Sequence, residues 1–124
     1  MSVFKQNVRE FLVEFKELMA SGKFYLLGNR KINRETLIQL GITEHIRKEC
    51  ILNLSVFDYC QGPVPDENGS GHLWIFGTEI DRCEVYIKLK IENAEEGKIA
   101  KCLSFHIPDY PLHYFFSSKG RHEK

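Results

Sequence analysis

The 124-residue chain carries no excess of either charge: 17 Lys and Arg face 17 Asp and Glu, for a formal net charge of zero. That balance excludes a protein held to polyanions by bulk charge, so any nucleic-acid site must be a local patch. No apolar run approaches the roughly 18 residues of a membrane span. Residues 1–19 alternate Phe and Leu with Lys, Arg and Glu, and so lack the apolar block of a secretion signal. The expectation is a cytoplasmic protein with no membrane partner. The four cysteines, Cys50, Cys60, Cys83 and Cys102, form no Cys-x-x-Cys pair, and free thiols are expected. The five histidines show no zinc-ligand spacing with one another or with the cysteines, so neither a metal nor another cofactor is expected. A phosphate-cradling loop with its glycine spacing and Lys-Ser/Thr ending is missing too, as is any internal repeat.

Amphipathic pattern fills the first half. Phe4, Val8, Phe11, Leu12, Phe15, Leu18 and Met19 recur at three- and four-residue steps, which predicts a helix capped by Ser2 and ended at Gly22. Phe24–Leu27 reads as a short edge strand. A second helix is predicted from Asn33 to Leu40, stopped by Gly41. Thr43 caps a third, with Glu44 suiting its dipole and Ile46, Cys50, Ile51 and Leu54 as the buried stripe. The Gly- and Pro-rich stretch Gln61–His72 reads as a loop, either a plain connection or the rim of a site.

From Leu73 the apolar period changes to two. Strands are predicted at Leu73–Ile80, Glu84–Ile91 and Ile99–Ile107, joined by short polar breaks, with Leu112–Phe116 as a further edge segment. Residues 117–124 form a polar tail. The whole chain, 1–124, reads as one α+β domain, its N-terminal helices packed on one face of a C-terminal antiparallel sheet.

Strand alternation then sorts the side chains. Val85, Ile87, Leu89 and Ile91 point one way, and Glu84, Tyr86, Lys88 and Lys90 the other. In the last strand Ile99, Leu103, Phe105 and Ile107 share the apolar parity with Lys101, while Ala100, Cys102, Ser104 and His106 take the opposite one. If Ile91 pairs with Ile99, Tyr86 faces Ser104 and lies diagonal to His106. A turn at Asp81–Arg82 puts Gly77 opposite Tyr86, leaving room above its ring, with Glu79 and Glu84 at one end. Cleaving RNA without a metal needs a base for a ribose 2′-hydroxyl, an acid for the leaving 5′-oxygen and positive charge near the phosphate. His106 and Tyr86 are the candidate catalytic residues, with Lys88 on the phosphate. The alternative use of the same face is non-catalytic binding of a protein or an RNA, with Tyr86 as an anchor.

The motifs Ile51-Leu52-Asn53-Leu54-Ser55, Asp58-Tyr59, Leu73-Trp74, Val85-Tyr86-Ile87-Lys88 and Leu103-Ser104-Phe105-His106 occur in that order. Together they resemble the motility quorum-sensing regulator (MqsR) family of toxins, over about Phe11 to Phe116. The resemblance implies a RelE-like fold and a sequence-selective messenger-RNA endoribonuclease. It also implies the toxic half of a type II toxin–antitoxin pair, silenced by a cognate antitoxin protein. The family tyrosine falls on Tyr86, and His106 stands where the best-known member has lysine. The family lysine after the Asp-Phe-Tyr turn falls near Cys60 or Gln61, and the glutamine after the tryptophan falls on Ile75. Lys88, Ser104 and Gln61 are the candidate substrate-binding residues.

Overall fold

A computed structural model describes residues 3–26 and 31–116. The expectations placed on Ser2, Leu27 and the 117–124 tail lie outside those residues. Three helices, α1 (Val3–Ala20), α2 (Lys31–Leu40) and α3 (Glu44–Leu52), cover one face of a five-stranded sheet. The strands are β1 (Phe24–Leu26), β2 (Tyr59–Pro65), β3 (His72–Ile80), β4 (Cys83–Ala94) and β5 (Gly97–His106), in the order β1-β5-β4-β3-β2. The sheet is mixed, where an antiparallel one was expected. β1 leads into α2 and joins the far edge parallel to β5; a parallel pair needs a long connection, and the chain from α2 through β4 supplies it.

α1 forms as its periodicity requires: Val8, Phe11, Leu12, Phe15 and Met19 are buried on one stripe against Phe76, Val85, Ile87 and Leu89 of the sheet. Thr43 caps α3 as expected, its hydroxyl accepting the Ile46 amide at 3.2 Å. The stripe of α3 is different from the expected one. Ile51 and Leu54 are buried, but Ile46 is 40% exposed and Arg47 is wholly buried in its place. The Arg47 guanidinium is bound by Glu44 and lies 5.7 Å from the Phe105 ring centre. Periodicity alone does not reveal a buried arginine.

α2 starts at Lys31, two residues before the expected cap, so Asn33 lies inside the helix and is fully buried. Its side chain has an edge to satisfy. β1 pairs with β5 only at Ala100–Cys102, so the next groups on that edge of β5 need other partners. Asn33 Oδ1 accepts from the Phe105 amide at 3.0 Å, and Nδ2 donates to the Leu103 carbonyl at 3.4 Å. The carboxamide thus continues the ladder where β1 stops. Asn33→Ala leaves a buried N–H without this acceptor and should cost about 1–3 kcal/mol in denaturant unfolding. A loss within error of zero would show that the ladder does not need it.

The stretch expected as one loop from Gln61 to His72 is strand as far as Pro65, and only residues 66–71 connect. Pro63 and Pro65 do not prevent this because β2 is the outer strand, where a missing N–H breaks no ladder. The β3–β4 turn falls at Asp81–Arg82 as expected, both residues at positive φ (53° and 69°).

The β4–β5 register also differs from the expected one. Ile91 pairs with Ala100, and a bulge between Lys88 and Leu89 leaves Leu103 as the extra residue on β5. Ala100 and Cys102 therefore enter the core, Phe105 joins them beyond the bulge, and Leu103 stays half-buried. Core burial pushes the Cys102 thiol up to about 12. Lys101, which shared the apolar parity, sits opposite Lys90 and reaches Glu92 on the other face.

Candidate functional site

The bulge sets the composition of the uncovered face. It places Tyr86 directly opposite His106, and Lys88 directly opposite Ser104. The Tyr86 and His106 rings stack with centres 5.0 Å apart and planes 23° from parallel. Both come from long, hydrogen-bonded inner strands, so their separation is fixed by the ladder rather than by a loop.

His106 Nδ1 lies 3.2 Å from the Ile107 carbonyl oxygen. A carbonyl only accepts, so this contact assigns the proton to Nδ1 and leaves the lone pair on Nε2. Burial, with a smaller contribution from Cys60, raises the Tyr86 hydroxyl above its usual pKa of 10. Tyr86 is therefore a neutral donor at physiological pH. Lys88 makes no ion pair among the described residues, while Lys90 and Lys101 are taken up by Asp66 and Glu92. Of these three ammonium groups, Lys88 is the one without a carboxylate at ion-pair distance, although its charge also acts on Asp66, and it stands next to the ring pair.

Chain beyond β5 completes the site. Leu112–Phe116 is expected as a further edge segment; residues 108–114 instead cross the uncovered face as an irregular strap, and Phe115 docks on the outer strand, donating its amide to the Tyr59 carbonyl at 3.1 Å. Glu84 holds it, accepting the Leu112 amide and the Tyr114 hydroxyl, each at 3.0 Å. Gly77 lies opposite Tyr86 as expected, but the strap fills the room above it. A Cβ built on Gly77 would sit 2.5 Å from both Leu112 Cδ1 and the Tyr114 hydroxyl. Between strap and sheet runs a cleft of about 440 Å³, lined by Tyr86, Lys88, Ser104 and His106 and walled by Pro108–Leu112.

Four of the five expected site residues thus share one cleft. Gln61 does not line it. It is exposed on β2 opposite Ile75, two strand spacings, or roughly 10 Å, from Lys88. The strap residues were not expected in the site. Pro108 and Pro111 signal a departure from strand geometry, but nothing local says that the chain turns back over the sheet.

The 66–71 loop borders a separate depression that shares Lys88 with the cleft. Asp66 and Lys90 pair at 2.6 Å with side chains only 12% and 5% exposed. The hydrogen bond from Lys90, helped by the Asn68 amide, holds the Asp66 carboxyl below its ordinary 3.8. Lys101 likewise depresses Glu92 from 4.5. A depressed carboxyl stabilises the fold fully above its unfolded value and loses that contribution as pH falls through the folded one. Thermal melts should therefore show an acid limb beginning as pH drops below about 4. Asp66→Asn should lower Tm at neutral pH, because Lys90 loses its carboxylate, and flatten that limb. An unchanged limb in the variant would place the acid sensitivity elsewhere.

Compared with protein-family models, curated proteins and solved structures, the chain matches none. Among the described residues no helix is long and apolar enough to cross a membrane.

Proposed function

We propose that this chain is a RelE-like ribonuclease toxin related to the MqsR family. In this reading it cuts single-stranded messenger RNA in the cytoplasm and is silenced when a cognate antitoxin protein occupies its cleft. The ordered motifs support the kinship. The observation that carries the activity is the stacked Tyr86–His106 pair sharing a cleft with Lys88.

His106 Nε2 takes the proton from a ribose 2′-hydroxyl, and that oxygen attacks the adjacent phosphorus. The bond from phosphorus to the 5′-oxygen of the next nucleotide breaks, and the Tyr86 hydroxyl protonates the departing oxygen. The products are a 2′,3′-cyclic phosphate and a free 5′-hydroxyl. Lys88 supplies positive charge to the phosphate oxygens as negative charge grows on them, and Ser104 offers a hydroxyl beside it. Reprotonating Tyr86 from His106 restores both groups. The resident side chains supply an acid, a base and a cation, so cleavage should proceed in the presence of a chelator. Purified protein incubated with a long single-stranded RNA and excess EDTA should give discrete fragments bearing those ends. RNA left intact at micromolar protein would contradict the proposal.

A further inference from the structure

A second hollow of about 430 Å³ lies on the sheet edge away from the cleft, where β1 meets the β4–β5 turn. Lys23, Lys98 and Lys101 line it with Tyr25, and Glu96 contributes one carboxylate. Tyr25 is 58% exposed, and Lys101 Nζ lies 5.9 Å from its ring centre. Lys98 is engaged by Glu14 at 2.8 Å and Lys101 by Glu92 at 2.8 Å, whereas Lys23 makes no ion pair among the described residues.

We propose that this hollow is a subsite for a flanking nucleotide of single-stranded RNA, with the base stacked on Tyr25 and the phosphate held by Lys23. The inference rests on the cleavage reading and extends it to substrate length. Register supports a shared path. Tyr25 pairs with Lys101, which pairs with Lys90, so the hollow opens on the same sheet face as the cleft. Along β5, Lys101 lies roughly 10 Å from Ser104, a span for a short run of nucleotides. A further depression shares Lys88 with the cleft and is lined by Leu103 on β5 and by Asp66 and Glu67 on the loop. Those carboxylates repel phosphate, so the strand is steered towards β5 and β1. An aromatic face and lysines together are what non-duplex nucleic acid requires, because every base presents a π-face and every nucleotide a phosphate.

The test uses the full chain and a fluorescent single-stranded RNA of about ten nucleotides, 2′-O-methylated throughout so that it binds without being cut. Tyr25→Ala should weaken binding roughly fivefold or more, and Tyr25→Phe should keep wild-type affinity. Lys23→Gln should reduce the slope of log affinity against log salt by about 0.7. Cleavage of unmodified RNA by the wild-type protein is measured alongside, as the separate readout of the chemistry. Wild-type affinity in Tyr25→Ala together with an unchanged salt slope in Lys23→Gln overturns the subsite, and persisting cleavage then leaves the catalytic reading standing. Binding that depends on Tyr25 in a protein that never cuts RNA supports the subsite and overturns the cleavage reading. A wild-type protein that retains no RNA even at low salt overturns both. Should Tyr25→Ala misfold, the salt slope of Lys23→Gln alone decides.

Discussion

His106→Ala should lower RNA cleavage by roughly 10²–10⁴-fold, the usual contribution of a positioned acid–base group. The loss should appear in kcat, because the imidazole acts on the proton in flight and phosphate binding is left to Lys88. Stability should hardly change. His106 is half-buried at the end of β5, and the stack with Tyr86 is the main contact it gives up, worth about 1 kcal/mol. Tyr86→Phe separates two roles of its ring: stacking survives, the acidic proton does not. It should therefore fold as well as wild type and cut slowly. Folded His106→Ala protein with undiminished turnover would remove the imidazole from the chemistry. Single-turnover assays, with melting curves of the same samples, read both quantities.

Phe76→Ala should be the most damaging single truncation in the core, at about 3–5 kcal/mol. Phe76 is fully buried at the centre of β3. It stacks with Phe11 of α1 at 6.1 Å and meets Tyr59 of β2 edge-on at 6.1 Å. Alanine there opens a void between helix and sheet that the inner strands cannot close, being held by ladders on both sides. Small domains have only about 5–15 kcal/mol in total, so Tm should fall by more than ten degrees. The next residue, Gly77, lies directly beneath Leu112 and Tyr114, so the loss would also loosen the footing of the strap. A fall of only a few degrees would mean that the core relaxes around the gap.

Alternation along β3 and β4 carried most of the site into view from sequence. Tyr86, Lys88 and Gly77 stand where period-two parity puts them, because both strands run without interruption through this region. Parity failed on β5 for a physical reason: a bulge adds one residue, and one residue reverses every side chain beyond it. Leu103 and Cys102 thereby exchanged roles, and His106 moved from a diagonal to a direct neighbour of Tyr86. The signal was visible in retrospect. Lys101 on an apolar parity is a contradiction that a bulge resolves. Asn33 and Arg47 were missed because a helix pattern reports which face is apolar. It does not show that a polar side chain will find a sheet edge or an aromatic ring to bury against. The strap is a purely tertiary feature. Glu84 receives it from 28 and 30 residues further along the chain.

Cleavage chemistry is tested most directly with an RNA cut by the protein at a mapped position and resynthesised with a single 2′-deoxy nucleotide on the 5′ side of that bond. If Tyr86 and His106 move protons for attack by the ribose hydroxyl, this one missing oxygen leaves the bond intact while cuts elsewhere continue. Cleavage of the deoxy-substituted bond at the unmodified rate would mean that the nucleophile is not the ribose, and the assignment of the two rings would be wrong.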